Sequence, residues 1–218
     1  MRKIDTLLFD FDGVIADTES QYTRFWREYF SENSNVDPEE FALKVKGTPL
    51  KKIFETYFSG LGEDEFARLT EKLAAFEKTL DYSPIRGVVE FIEAARARGF
   101  KTGLVTSSGA NKMRSVFEKT QYGKLFDTLI TAQDITVGKP DPMCYLLGAK
   151  RLESAPENCA VFEDSLTGLK AGRSAGMFVV GLLTTFPRAQ VEPLSDVVIG
   201  DFADASAVFA ILDGAAEK

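Results

Sequence analysis

Short apolar segments that alternate with helical patterns constrain the fold of this chain more than any other feature. The first is Leu7–Phe9, and the alternation resumes after residue 83 and continues to the end of the chain. The later predicted strands are Phe100–Thr106, Asp127–Ala132, Asn158–Phe162, Phe178–Leu182 and Asp196–Ile199. Strands separated by helices predict an α/β fold.

A helical segment interrupts this alternation directly after the first strand. The predicted helices of the segment are Glu19–Phe30, Leu50–Phe58 and Glu63–Leu80. No strand signal of comparable strength occurs among them, and Ser83–Gly87 then breaks the pattern. We therefore expect residues 17–83 to form an α-helical cap domain, inserted into a core that consists of residues 1–16 and 84–218.

Charge and composition exclude several classes of partner. The net charge is −7 and the longest basic cluster is Lys51–Lys52, so we expect contact with neither nucleic acid nor a membrane surface. No apolar segment approaches the roughly 20 residues that span a bilayer, and Met1–Asp5 lack the apolar core of a secretion signal. Cys144 and Cys159 have no metal-ligand spacing and are expected to be reduced thiols. These features favour a cytoplasmic protein, and we expect a monomer.

The chain contains no histidine. Ser-His-Asp and Cys-His catalysis and histidine-rich zinc sites are therefore excluded. Acid–base chemistry in this chain falls to carboxylates, lysine, tyrosine or cysteine.

Two carboxylates, Asp10 and Asp12, follow the first strand directly, and Gly13 allows the backbone to turn away. Their spacing of two residues directs both side chains to the same side. Like charges at one site repel, so the pair requires a metal, a shared proton or a cationic complex. The alternative is an ordinary polar strand end followed by a turn.

Hydroxyl groups end the next predicted strand, at Thr106, Ser107 and Ser108. A helical pattern follows them, and hydroxyls at a helix start favour an anion such as phosphate. The alternative is that Ser108 is only a helix N-cap.

Lys139 lies in a stiff loop between a strand and a helix. Pro140 biases Lys139 toward an extended conformation, and Asp141–Pro142 is a favourable helix start. The rigidity favours a functional cation, and the alternative is a surface lysine.

One strand later, Glu163 and Asp164 form a second acidic pair at a strand end, and Ser165 is expected to cap the helix that follows. The two acidic pairs together offer the oxygen ligands that suit Mg²⁺.

Within the helical segment, the turn Lys46–Pro49 has two equally weighted interpretations. It presents Lys46 or Thr48 to a substrate beneath the cap, or it is a solvated loop. A group of aromatic residues precedes it at helical spacing and is expected to serve packing rather than ligand binding. This group comprises Tyr22, Phe25, Trp26, Tyr29 and Phe30.

The order of four strand-end motifs resembles the haloacid dehalogenase-like superfamily, in its β-phosphoglucomutase-like and sugar-phosphatase branch. The motifs are Asp10-x-Asp12-Gly13, Thr106-Ser107, Lys139-Pro140 and Glu163-Asp164-Ser165. Each motif is weak alone, but the four in sequence are specific. The resemblance covers the whole chain and implies a Rossmann-like parallel sheet with helices on both faces.

The resemblance also implies a role for each motif. Asp10 would attack phosphorus and form an aspartyl-phosphate, and Asp12 would act as general acid and then general base. Thr106 and Lys139 would bind the phosphoryl group. Apart from the resemblance, the strand-end hydroxyls predict Ser107 as a further phosphate contact, and the cap turn predicts Lys46 as a substrate contact. The Mg²⁺ ligands of the family correspond to Asp10, the main-chain carbonyl of Asp12, and Asp164, together with Glu163. The implied substrate is a small phosphorylated metabolite.

Phosphatase and phosphomutase are both compatible with this resemblance. The mutases carry an arginine after the cap turn and a histidine in the first cap helix, where this chain has Leu50 and Tyr22. Both departures favour a phosphatase acting on a sugar or polyol phosphate, although Lys51 or Lys52 offers an alternative cation. A non-catalytic phosphate-binding protein is the remaining alternative.

Overall fold

The computed structural model describes residues 3–33, 36–46, 48 and 50–215. The chain forms two compact units. One unit consists of the chain up to Asp17 and from Ser83 onward, and we call it the sheet unit. The other, Thr18–Tyr82, is the helical unit.

The sheet unit is built on six parallel strands within the described residues. They are β1 (Thr6–Phe9), β2 (Lys101–Val105), β3 (Thr128–Ile130), β4 (Cys159–Glu163), β5 (Phe178–Leu182) and β6 (Val197–Ile199). The spatial order is β3-β2-β1-β4-β5-β6, which is the order of doubly wound α/β folds. The expected Rossmann-like parallel sheet is therefore confirmed. Each predicted strand is present, and no end differs from its prediction by more than two residues.

In the part of the chain that the structure describes, four helices belong to the helical unit and the others belong to the sheet unit. The α-helices are α1 (Glu19–Asn33), α2 (Pro38–Val45), α3 (Leu50–Tyr57), α4 (Glu63–Thr79), α5 (Val88–Ala97), α6 (Ala110–Lys119), α7 (Met143–Arg151), α8 (Leu166–Ser174), α9 (Arg188–Val191) and α10 (Ala205–Ala215). Short 3₁₀ helices occupy Tyr122–Leu125, Ala132–Asp134, Pro156–Asn158 and Glu192–Leu194. Among the helices described, none has both the length and the apolar character needed to cross a membrane.

Both faces of the sheet are packed against helices. On one face, the rings of Phe9 and Phe162 stack with centroids 4.7 Å apart, and Phe91 from α5 packs against them. On the other face, Leu8 and Tyr145 lie in a separate buried cluster. Leu8 and Phe9 thus point to opposite sides of β1, so the strand is buried on both faces, as expected for a central parallel strand.

Three local predictions about helix ends can be compared with the structure. Ser165 caps α8 as predicted, because its Oγ accepts a hydrogen bond from the Gly168 amide at 3.1 Å. Asp141 does accept from an amide, that of Met143 at 2.9 Å, but α7 begins one residue later than the predicted start at Pro142. Helix α2 was not predicted, although Asp37 caps it and Pro38 opens it.

The predicted packing role of the aromatic group in α1 is confirmed. Phe25, Trp26 and Phe30 are buried in the core of the helical unit, and Trp26 stacks with Phe58 at a centroid distance of 5.8 Å. The hydroxyl of Tyr22 donates to Glu77 at 2.9 Å. Cys144 and Cys159, in the sheet unit, are both buried free thiols, as expected.

The chain leaves and re-enters the sheet unit at adjacent points. Ala16 and Pro84 form an antiparallel bridge. The Ile85 amide donates to the Ile15 carbonyl at 2.9 Å, and the Asp17 amide donates to the Ser83 carbonyl at 3.1 Å. The two crossing segments are therefore held together by the sheet unit itself.

Candidate active site

The motifs that the sequence singled out meet at one edge of the sheet. Asp10 follows β1, Thr106 follows β2, and Glu163 ends β4. These three strands are neighbours, and the Asp10 amide donates to the Phe162 carbonyl at 3.0 Å. The carboxyl edge of a parallel sheet is where such folds bind ligands.

A buried acidic cluster lies at this edge. Asp10, Glu163 and Asp164 each offer a carboxylate oxygen, and these oxygens lie within 4.8 Å of one another. All three residues are buried. Oxygen atoms so arranged are a donor set suited to a hard divalent cation.

Lys139 reaches into this cluster. Its Nζ donates to Asp10 Oδ1 at 2.7 Å, to Glu163 Oε1 at 2.5 Å and to the Val105 carbonyl at 3.3 Å. Burial alone would lower the pKa of Lys139, but the Asp10 and Glu163 carboxylates outweigh it and raise that pKa above its usual value. The interpretation of Lys139 as a surface lysine is wrong, because only 3% of its side chain is exposed.

The ionisation of Asp10 is strongly affected by its surroundings. Burial raises its pKa to about 7, against the attraction of Lys139, and the negative charges of Glu163 and Asp12 add to the increase. In the absence of a further cation, this side chain therefore takes up a proton near neutral pH.

Glu163 accepts hydrogen bonds at both of its oxygens. Oε1 accepts from Lys139 and from the Tyr145 hydroxyl at 2.7 Å, and Oε2 accepts from the Asp164 and Ser165 amides and from the Ser165 hydroxyl. Burial raises the pKa of Tyr145, and the negative charge of Glu163 raises it further, so the tyrosine remains a donor. Glu163 therefore binds Lys139. The role of Glu163 as a metal ligand remains a prediction.

Asp164 is held by a loop that the sequence did not identify. The Thr185 hydroxyl donates to Asp164 Oδ2, and the neighbouring Thr184 donates to the Gly13 carbonyl at 2.6 Å. Gly13 has φ of +78°, and a Cβ at this position would collide with the Asp164 carboxylate. Glycine is therefore required there both by backbone conformation and by the closeness of Asp164.

Asp12 is held by two residues at and just before the start of α6. Lys112 Nζ lies 2.8 and 3.0 Å from its two carboxylate oxygens, and the Ser108 hydroxyl donates to Oδ2 at 2.9 Å. The alternative that Ser108 is only an N-cap is wrong, because Gly109 is the N-cap residue and Ser108 contacts Asp12. Lys112 could not be identified from the sequence, since a lysine in the first turn of a helix is usually solvated.

The remaining predicted residues lie in two different places. Thr106 is buried, and its hydroxyl accepts from the Ser108 amide at 3.0 Å, while Ser107 is half-buried in the same loop. Lys46 is half-buried in the helical unit, where it follows α2. Gly47 and Pro49 of the predicted turn lie outside the described residues. The substrate contact at Lys46 remains a prediction.

Comparison with known proteins is consistent with this site. A sequence model described as haloacid dehalogenase-like hydrolase matches residues 7–182. The Bacillus subtilis protein YhcW is 34% identical over 180 residues, which cover 80% of this chain and 81% of that protein. A phosphorylated carbohydrates phosphatase of Thermotoga maritima is 29% identical over 180 residues, covering 80% of this chain and 82% of its own. The crystal structure of β-phosphoglucomutase from Clostridium difficile shares the fold, with a TM-score of 0.78, 21% identity, and coverage of 99% of this chain and all of that one.

Proposed function

Because this chain belongs to the haloacid dehalogenase-like hydrolase family, we propose that it is a Mg²⁺-dependent phosphatase of a small phosphorylated metabolite. The resemblance inferred from the four strand-end motifs is confirmed by this membership. Sugar and polyol phosphates are the proposed substrate class, in agreement with the name of the Thermotoga maritima relative. The observation that carries the proposal is the buried contact of Lys139 with Asp10 and Glu163, next to a second aspartate.

Asp10 is the proposed nucleophile. Its carboxylate attacks phosphorus, the bond from phosphorus to the ester oxygen breaks, and an aspartyl-phosphate forms on Asp10. Lys139 already donates to Asp10, which fixes the orientation of the carboxylate and places a positive charge where the phosphoryl oxygens arrive. Thr106, at the end of the neighbouring strand, is the proposed hydroxyl contact to the same group.

Asp12 is the proposed acid and base. It donates a proton to the leaving alcohol in the first step. In the second step it takes a proton from water as the water attacks phosphorus, the bond from phosphorus to Asp10 breaks, and phosphate leaves. About a quarter of its side chain is exposed, so a water molecule or an alcohol has access to it. Since the chain has no histidine, a carboxylate in this position supplies the proton transfer.

The residues at the sheet edge fit a magnesium ion. Among the described residues, the buried carboxylates of Asp10, Glu163 and Asp164 converge here, and a divalent cation would offset their mutual repulsion. Burial, which is the main cause of the elevated pKa of Asp10, and the nearby charges of Glu163 and Asp12 both disfavour its ionised form unless a cation is bound. Asp10, Asp164 and the main-chain carbonyl of Asp12 would hold the ion. When bound, Mg²⁺ would reduce the repulsion between the nucleophile and the phosphoryl group.

A phosphomutase is the second candidate, because the structure shares the fold of a β-phosphoglucomutase. That reaction requires a second site for the phosphate that does not react. The two positions that would carry the arginine and histidine of the mutases hold Leu50 and Tyr22, and the hydroxyl of Tyr22 is already bound to Glu77. These residues favour hydrolysis.

The specificity contacts, Lys46 among them, are proposed to come from the helical unit. A cytoplasmic monomer remains the expectation.

The test is phosphate release from a panel of phosphorylated metabolites, measured with Mg²⁺ and with EDTA. The panel contains hexose, pentose and polyol phosphates, phosphoglycolate and β-glucose 1-phosphate, and wild type is compared with Asp10→Asn, which has nearly the same shape. We expect Mg²⁺-dependent release by wild type, at least 1,000-fold less by the variant, and an acid-quenched covalent phosphate on wild type only. Conversion of β-glucose 1-phosphate to glucose 6-phosphate that exceeds phosphate release would establish the mutase instead. Metal binding without any turnover would indicate a non-catalytic protein.

A further inference from the structure

The contact between Lys112 and Asp12 differs from the surface ion pairs of this protein. In the pairs Arg27–Glu39 and Arg188–Glu192, about half or more of each side chain is exposed. In the Lys112 pair the exposed fractions are 14% and 27%. Exposed pairs contribute little because water competes for them, whereas a shielded pair keeps its geometry.

Lys112 holds both oxygens of Asp12 at the same time. Its ammonium lies 2.8 and 3.0 Å from them, and Ser108 provides a third hydrogen bond, to Oδ2. Lys112 also lies near the ring of Phe11, at 5.9 Å from its centroid. A carboxylate bound in this way cannot rotate without breaking contacts with α6.

The two lysines at the sheet edge contact different aspartates. Lys139 contacts Asp10 and Glu163, whereas Lys112 contacts Asp12. Proton transfer requires the donor oxygen to lie within hydrogen-bond reach of the ester oxygen, and small errors in position reduce the rate strongly. An aspartate without support would sample several rotamers, and most of them would not be aligned with the ester.

We propose that Lys112, assisted by Ser108, is a positioning residue that fixes the carboxyl group of Asp12, which carries a proton when it protonates the leaving alcohol and is ionised when it accepts a proton from water. This inference rests on the proposed phosphatase function. It assigns Lys112 no contact with the transferred phosphoryl group. The effect of replacing Lys112 on the first step therefore depends on how strongly the leaving group of the ester requires protonation.

The experiment compares two esters that differ in their leaving group. An alkyl phosphate, such as a polyol phosphate, releases a poor leaving group and requires protonation, whereas p-nitrophenyl phosphate releases a good leaving group and hardly requires it. For Lys112→Met we expect kcat/KM, which reports the steps up to release of the leaving group, to fall about 10- to 100-fold on the alkyl ester and less than about 3-fold on the aryl ester. Lys112→Arg should recover part of the loss, and Ser108→Ala should show the same pattern more weakly.

Arg114→Met is the matched control, because Arg114 is an exposed cation on the same helix. It should leave both rates unchanged. Circular dichroism and thermal unfolding identify a folding defect, and if Lys112→Met is poorly folded, the comparison is made with Lys112→Arg and Ser108→Ala.

Two results would overturn the inference. Equal losses on both esters, with a raised KM, would show that Lys112 binds phosphate directly. Unchanged rates on both esters would show that Asp12 needs no support from α6. Absence of turnover by wild type on every ester would instead refute the proposed function, so the two failures are distinguishable.

Discussion

A cation that binds to Asp10 competes with a proton for the same carboxylate. Below about pH 7 the carboxylate of the metal-free protein is mostly protonated, because burial disfavours its charge. A metal ion binds only the ionised form, so it must displace that proton at low pH.

The raised pKa of Asp10 also has a consequence for stability. Since the folded protein holds a proton that the unfolded chain has released, the contribution of Asp10 to the free energy of unfolding is present at low pH and is lost as pH rises through about 7.

The affinity for Mg²⁺ should therefore rise with pH. We expect it to weaken by about tenfold from pH 8 to pH 6, since each unit below the pKa of Asp10 reduces the ionised fraction about tenfold. Isothermal titration calorimetry in two buffers of different ionisation enthalpy measures the affinity and the proton released. Release of close to one proton per ion at pH 6, and of none at pH 8, is expected. An affinity that is independent of pH would contradict the assignment of Asp10 as a ligand.

The site residues at strand ends were predictable from the sequence. The residues that reach the site from a helix or a loop were not. Asp10, Thr106 and Glu163 were predictable because parallel strands deliver their final residues to one edge. Lys112 and Thr185 were not, because their contacts depend on the rotation of a helix and the path of a loop. A contact between residues 100 positions apart leaves no local signal in one sequence.

Among the elements, α8 packs unusually close to the end of β4. The first turn of α8 contains Gly168, and a Cβ there would collide with the carboxylate of Glu163. The helix can therefore approach Glu163 only because residue 168 has no side chain. This approach places the Ser165 donors on Glu163 and so supports Lys139.

Gly168→Ala should damage both stability and activity. We expect a loss of about 1–3 kcal/mol in the free energy of unfolding from overpacking, and a fall in kcat of at least tenfold because Glu163 is displaced from Lys139. The control is Gly214→Ala in α10, where a Cβ would meet nothing within 4 Å and should stabilise the helix by up to about 1 kcal/mol. Urea unfolding and phosphate release measure the two effects. Equal behaviour of the two variants would show that the collision is relieved without consequence.

The elements themselves were more predictable than their ends. The strands of the sheet followed from apolar segments bounded by turn residues, since a strand buried on both faces is continuously apolar. Helix α2 was missed because its buried residues Phe41, Ala42 and Val45 do not complete a clear helical repeat. In α3, which has the same length, Leu50, Ile53, Phe54 and Tyr57 follow the i, i+3, i+4, i+7 pattern. The start of α7 was displaced by one residue because Asp141 caps the Met143 amide from outside the helix.

For the whole molecule, the adjacent crossing points of the chain suggest that the two units are separable. The bridge between Ala16 and Pro84 and the hydrogen bonds beside it hold the ends of the insertion together from the sheet side. The sheet unit also has its own buried core. We infer that residues 18–82 form a domain that can be removed without unfolding the rest.

A chain in which a short Gly–Ser linker replaces residues 18–82 should fold. We expect cooperative urea unfolding, α/β far-ultraviolet circular dichroism and retained Mg²⁺ binding at the sheet edge. Removal of α10 is the contrasting deletion, since Val208, Phe209 and Leu212 are buried and their loss should abolish folding. A shortened chain that unfolds without cooperativity and binds ANS would show that the sheet unit depends on the insertion.

The aromatic core of the helical unit gives the protein a built-in spectroscopic reporter. Trp26 is the single tryptophan of the chain, and it is almost wholly buried among phenylalanine rings of that unit. Fluorescence excited at the red edge of the absorption band therefore observes the packing of the helical unit alone, whereas circular dichroism observes all the helices. If the two signals change at different urea concentrations, the helical unit and the sheet unit unfold as separate cooperative blocks, and the fluorescence midpoint belongs to the former.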